Sequence, residues 1–208
     1  MNTPTLGLYV AASLALIATP GQDMLYVITR SLAQGRVAGL CSALGVCVGI
    51  LVHTALAVLG VGAILHASEM LFLALKLAGA AYLVYLGLRL VLAREAARIG
   101  SPGGGRLSPL ALVRQGVLSN VTNPKIVLFF FAFLPQFVDP ASAHPTRELA
   151  FLGVLYAALA LPVKSAVALA AGSLSEHVAR HPAAMQWMNR ASGAVLIALG
   201  LRLAAAER

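Results

Sequence analysis

The chain has 208 residues, of which 60% are hydrophobic and 11% charged, against roughly 45–50% and about 25% in a soluble globular chain. That much apolar surface excludes a water-soluble fold of this size and calls for lipid. The formal charge of +8 does not indicate nucleic acid, because the arginines fall in loops or near span ends with no aromatic-interleaved basic patch, a pattern that fits membrane topology and anionic lipid.

The expected fold class is an all-α membrane protein of about six transmembrane helices, each needing roughly 20 mostly apolar residues. The first span covers about 6–29 and is interrupted at Thr19-Pro20-Gly21-Gln22-Asp23. No Lys or Arg precedes its apolar run, so it reads as a retained helix and not as a cleaved signal peptide. The second span covers about 39–63 and the third about 69–91. A Gly- and Pro-rich linker at about 92–112 (REAARIGSPGGGRLSP) follows and reads as exposed loop. The fourth span, about 113–138, carries a second break at Asn123-Pro124-Lys125. The fifth covers about 148–174 and the sixth about 187–205. Six spans leave no room for a separate soluble domain, so residues 1–208 form one membrane domain.

Orientation follows from arginines near the span ends. Arg30, Arg36, Arg89, Arg94, Arg98, Arg106, Arg114, Arg180 and Arg190 fall on one side; Arg147, Arg202 and Arg208 fall on the other. The 1–2, 3–4 and 5–6 loops are therefore expected in the cytoplasm, with both termini outside. The linker separates half 1 (about 1–92) from half 2 (about 113–208), three spans each, and an odd number of spans inverts the second half. Each half opens with a proline-broken span, and paired broken helices point to a transporter site at the repeat interface. Prolines that merely kink membrane helices are the plainer explanation.

Four stretches carry a family resemblance: LIATPGQDMLYVITRSLAQGRVAGLCSALGVCVG (16–49), LKLAGAAYLVYLG (75–87), RQGVLSNVTNPKIVLFFFAFLPQFV (114–138) and SGAVLIALGLRL (192–203). Together, and in this order from end to end, they resemble the LysE/RhtB amino-acid exporters. The resemblance implies a secondary transporter in the bacterial inner membrane that expels amino acids in exchange for protons. It brings no cofactor and no metal. Two residues depart from the family pattern. Gln22 stands where the family usually has Pro, and Lys164 stands near the middle of span 5, where an apolar or aromatic residue is expected. Both bear on substrate identity.

Ionisable groups inside a membrane are costly and face a cavity or a partner. Asp23, Lys76, Lys125 and Lys164 are the in-span candidates, and these three lysines are the only ones in the chain. Lys76 is about two turns inside its span, where it can snorkel, pair or contact substrate. Lys125, at the second break, either neutralises freed carbonyls or serves function. Lys164 is too central to snorkel, and a cavity role or a pair with Asp23 is expected. Asp23 either caps the helix that restarts after Pro20 and Gly21 or carries a proton. Asn123, beside Pro124, and Asn120 can bond unpaired backbone at the break. His53 can shuttle protons or simply bond a neighbouring helix. Three lysines against one aspartate favour a neutral substrate of the homoserine, threonine or leucine kind over a cationic one.

Gly35, Gly39, Gly45 and Gly49 contain two GxxxG spacings, which suit packing within the chain or a homodimer face. Cys41 and Cys47 read as inert thiols. His177 and His181 have metal-compatible spacing, but beside Glu176 and Arg180 they read as a solvated face. GSPGGGR ends in Arg and follows no strand, so it is not a phosphate loop. No Ser/His/Asp set or H-E-x-x-H appears. A membrane-embedded enzyme therefore lacks its acid/base set. A channel or passive assembly subunit remains the alternative to a carrier, although a channel would place polar residues along a span and here they gather at two breaks.

Overall fold

The computed structural model describes residues 3–67, 69–92, 106–138, 142–180 and 182–205, with the side chains of 3–5, 61–67, 69, 71, 72, 75, 172–180, 182–185 and 188 left aside. Most of the linker, with Arg94 and Arg98, and also His181 and Arg208 lie outside the described residues, as do the side chains of Glu176, His177 and Arg180. Those described form α1 (Thr3–Ala18), α2 (Gln22–Gln34), α3 (Arg36–Ala67), α4 (Glu69–Leu92), α5 (Pro109–Val121), α6 (Pro124–Leu128), a π-helical turn (Phe129–Phe133), a 3-10 turn (Leu134–Phe137), α7 (Pro145–Arg180) and α8 (Pro182–Ala205). No strand occurs among them.

Parts of α3 and α7 are long and apolar enough to cross a membrane, over Arg36–Gly60 and Pro145–Ala171. Two bent pairs qualify jointly: α1 with α2, at 50°, and α5 with the segment from Pro124 to Phe137, at 55°. Each bend falls at a break visible in the sequence. Proline cannot donate a backbone hydrogen bond and clashes with the preceding turn. At the first bend Gly21 is extended and serves as N-cap of α2. At the second, Asn123 caps α6, its side chain accepting from Lys125 N at 3.1 Å, with Pro124 at the first helical position. α2 runs to Gln34, past the expected end of the first span, and stops at Gly35, whose φ of +89° favours glycine.

α3 packs between α5 and α7, and α4 packs along α8. Glycines set how close these helices come. A Cβ on Gly45 would strike the Val113 backbone, and one on Gly87 would meet the Gly193 carbonyl at 2.6 Å. A Cβ on Gly39 would meet Ser31 at 2.7 Å, and one on Gly49 would meet Asn120 at 2.7 Å. Gly39, Gly45 and Gly49 are thus occupied by α2, α5 and α7 of the same chain, as packing within the chain requires, whereas a Cβ on Gly35 would meet nothing within 4 Å. Ser31 Oγ donates to the Ala168 carbonyl, fixing α2 against α7.

The core is a ring cluster. Tyr9 packs on Phe137 with centroids 5.1 Å apart, Phe129 on Tyr156 at 4.7 Å and Phe129 on Phe133 at 5.3 Å. The FFFAF run supplies most of these rings, and the π turn widens the helix so that Phe129, Phe130 and Phe133 are all buried. At the other end Gln34 Oε1 accepts from Leu107 N at 2.9 Å, and Arg30 donates to Gln115 at 3.1 Å. The α2–α3 corner and the end of the linker therefore lie on one side.

Candidate functional site

Both breaks converge on one buried polar knot. Lys164 Nζ of α7 lies 3.0 Å from Asp23 Oδ2, with side chains 2% exposed. Asn123 Nδ2 donates to the other carboxylate oxygen at 3.3 Å. Lys125 Nζ reaches back into the first break and donates to the carbonyls of Leu16 and Thr19, at 3.2 and 3.1 Å. These carbonyls close α1, where orphan acceptors and the negative end of the helix dipole meet, so an ammonium there is doubly favourable. Gly21 makes room for it: a Cβ at this position would stand 3.1 Å from Lys125 Nζ. The pair of Lys164 and Asp23, and the Lys125 contact with freed carbonyls, are as the sequence led one to expect. The carbonyls belong to the other break, however, over a hundred residues away.

Asp23 keeps part of the capping role and adds an ion pair. The N-cap of α2 is Gly21, with no side-chain cap bond, and Asp23 sits in the first turn, where its carboxylate accepts from the Met24 backbone N–H. The same carboxylate also meets Lys164 and Asn123. It still lies at the positive end of the α2 dipole. Asp23, Lys125 and Lys164 sum to a charge of +1 if all are ionised, so the knot favours an anionic group beside it.

His53 is bonded to a neighbouring helix: Nε2 lies 3.3 Å from the Asn120 carbonyl, and the ring stacks on Phe130. The Asn120 carbonyl also accepts from Asn123 N at 2.9 Å, so His53 touches the outer layer of the second break and not Asp23 itself. Lys76 is buried on α4 and has an interaction of its own. Pro20 is half-buried in the first break, and Pro124 is exposed at the second. Gln22 points away from Asp23. With Tyr26, Thr29, Gln115, Ser119 and Thr122 it lines an open groove of about 570 Å³ between α2 and α5. That groove runs from the two breaks toward the Arg30–Gln115 side.

Sequence reading missed the hydroxyls beside the knot. Tyr9 Oη donates to the Leu152 carbonyl at 2.7 Å and is also bonded by the Ser13 side chain, while Tyr156 Oη is buried without a partner among the described residues. Only their place opposite one another in an apolar seam distinguishes them, and nothing local in the sequence carries that.

Two broken helices whose ends meet around buried charges define a transporter-like membrane protein, and likeness to known proteins gives the family. Residues 14–207 match the LysE type translocator family, and the chain belongs to it. It is 32% identical over 199 residues to an uncharacterized membrane protein of Vibrio cholerae, covering 96% of each chain. It is 29% identical to a homoserine/homoserine lactone efflux protein of Salmonella typhimurium, over 96% of this chain and 95% of that one. It is 26% identical to a leucine efflux protein of Klebsiella pneumoniae, over 94% and 92%. No solved structure matches. The chain is accordingly a membrane protein of an amino-acid efflux family, which points away from an enzyme.

Proposed function

We propose that the chain is a secondary transporter of the bacterial inner membrane that exports neutral amino acids of the homoserine, threonine or leucine kind by exchange for protons. The observation that carries this is the Asp23–Lys164 ion pair buried where both breaks meet. A zwitterion offers the same two charges, its ammonium for Asp23 and its carboxylate for Lys164. A proton on Asp23 removes the partner of the substrate ammonium, so proton and substrate compete for the site, as exchange requires. The relatives named for homoserine and leucine efflux favour an uncharged side chain, as does the excess of lysines.

The accompanying topology is six spans in two inverted halves, with α1–α2 and α5–α6 as the broken first span of each and both termini periplasmic. The contacts of Gln34 with Leu107 and of Arg30 with Gln115 support it, since they join two of the arginine-rich loops on one side. Surface labelling of a cysteine placed at Ser108 in intact cells tests the orientation. Labelling from the periplasm without permeabilisation would refute it.

The transport test uses proteoliposomes loaded with homoserine, threonine or leucine. Gradient-driven efflux and substrate–substrate exchange are measured for the unmodified protein and for Asp23→Asn. Asn keeps the shape and one hydrogen-bond acceptor but cannot carry a proton. Loss of driven efflux with exchange retained is the expected result. Full driven efflux by the variant would show that Asp23 is not the proton site. No movement of any amino acid by the unmodified protein would refute the exporter reading.

A further inference from the structure

The bonds on either side of the knot fix the register of the first span against α7. Tyr9 meets Leu152 and Asp23 meets Lys164, so both segments advance in the same direction along a shared seam. Ser13 and Tyr156 fall between these levels. The Ser13 hydroxyl bonds the Tyr9 oxygen, whose own proton goes to the Leu152 carbonyl, and the Tyr156 hydroxyl is left without a partner among the described residues; both Ser13 and Tyr156 are at most 1% exposed. A buried hydroxyl without a partner is unfavourable, and one beside a chain of further hydroxyls is rarely kept unless something transient bonds it. Tyr156 is also close enough to Asp23 to feel its charge. Water is the ligand whose size and hydrogen-bonding fit two hydroxyls in such a seam.

We propose that the α1–α7 seam is the proton path to Asp23, in which water threads past Tyr156 and Ser13 from the side where α7 begins. This rests on the exporter reading and assigns its two cargoes to two routes. The open groove between α2 and α5, with its amides and hydroxyls, is wide enough for an amino acid. The seam is packed by Tyr9, Phe129 and Phe137, which stops an amino acid while hydroxyl-bound water passes a proton. The groups facing Asp23 are Lys164 and Tyr156 from α7, Lys125 and Asn123 from the second break, and Cys47 from α3. The proton hops from water to water and bonds to an Asp23 oxygen. The carboxylate becomes neutral and Lys164 loses its counter-charge. Pro162 lies two residues before Lys164 within α7, at a point where a helix lacks one backbone bond and can hinge.

The test combines Ser13→Ala and Tyr156→Phe, singly and together, in proteoliposomes with a pH dye inside. The Tyr156 hydroxyl bonds nothing among the described residues and Ser13 makes one bond, to Tyr9, so thermal unfolding should be unchanged or slightly raised in Tyr156→Phe and only slightly lowered in Ser13→Ala. Substrate–substrate exchange, which moves no proton, should persist at the unmodified rate. Driven efflux and its accompanying proton uptake should be lost in the double variant and reduced in each single one. Retention of driven efflux and proton uptake by the double variant would overturn the seam as the proton path and leave the exporter reading standing. Loss of exchange together with driven efflux would also overturn it, by placing the hydroxyls in the substrate's route. Unmodified protein that moves no amino acid would instead refute the exporter reading.

Discussion

Lys125→Met removes the two hydrogen bonds that close the end of α1. The Leu16 and Thr19 carbonyls belong to residues 0% and 1% exposed, so water does not simply replace the lost donor. Each bond, at 3.2 and 3.1 Å, joins a cation to a carbonyl, a class of interaction contributing about 1.5–3 kcal/mol. Partial relaxation around the shorter methionine recovers some of that, leaving a loss of roughly 3–5 kcal/mol. At about 2–4 °C per kcal/mol for a chain of this size, the midpoint of thermal unfolding in detergent should fall by roughly 6–20 °C. Arg114→Met removes the same charge from an exposed position on α5 and should change stability by no more than about 0.5 kcal/mol. Scanning fluorimetry of the two variants beside the unmodified protein measures the difference directly. Equal midpoints for Lys125→Met and Arg114→Met would refute the assignment of Lys125 to the broken end of α1.

Gly45→Ala should destabilise by about 1–3 kcal/mol, because its Cβ would press on the Val113 backbone, which cannot move aside as a side chain would. Gly60→Ala, whose nearest neighbour is Phe131 Cε1 at 3.9 Å, should be neutral or stabilising by up to about 1 kcal/mol, and thermal unfolding of both variants checks the contrast. Asn123→Ala removes both the cap of α6 and a ligand of Asp23; a loss of about 1–2 kcal/mol is expected, and Asn123→Ser, which can still cap, should recover part of it. Lys164→Met leaves Asp23 without its ion-pair partner and should cost about 3–5 kcal/mol. Adding Asp23→Asn to it should restore much of that, and a double variant no more stable than the single one would show that the pair does not couple.

The parts of the site that were legible in the sequence share one cause. A charge in lipid must find an opposite charge or a bare backbone group, so residue type and position along the spans suffice to match Asp23, Lys125 and Lys164 to each other and to the breaks. The same logic led to His53 bonding a neighbouring helix. What was not legible depends on distances between segments. Two GxxxG spacings announce tight packing yet carry no mark of the packing partner, which proved to be α2, α5 and α7. The bond of Asp23 to a first-turn N–H follows from its place after Pro20 and Gly21, whereas its Asn123 contact comes from a segment a hundred residues away. FFFAF reads as an apolar helix, and the π turn arises because three of its rings must face one core. Ser13 and Tyr156 are ordinary residues of apolar helices until the register of the seam puts them together.

Lys125 also sets a timetable. Thr19 and the lysine that bonds its carbonyl are 106 residues apart. At about 5–20 residues per second, the ribosome needs roughly 5–20 s to deliver one after the other. Through that interval the growing chain carries a broken helix with bare carbonyls, which lipid cannot solvate. The early half must therefore wait in a hydrated or protected place, such as the insertion machinery, until the second break arrives. A premature stop anywhere before Lys125 leaves a fragment with an unhealed flaw, recognisable to membrane quality control by that exposed backbone alone.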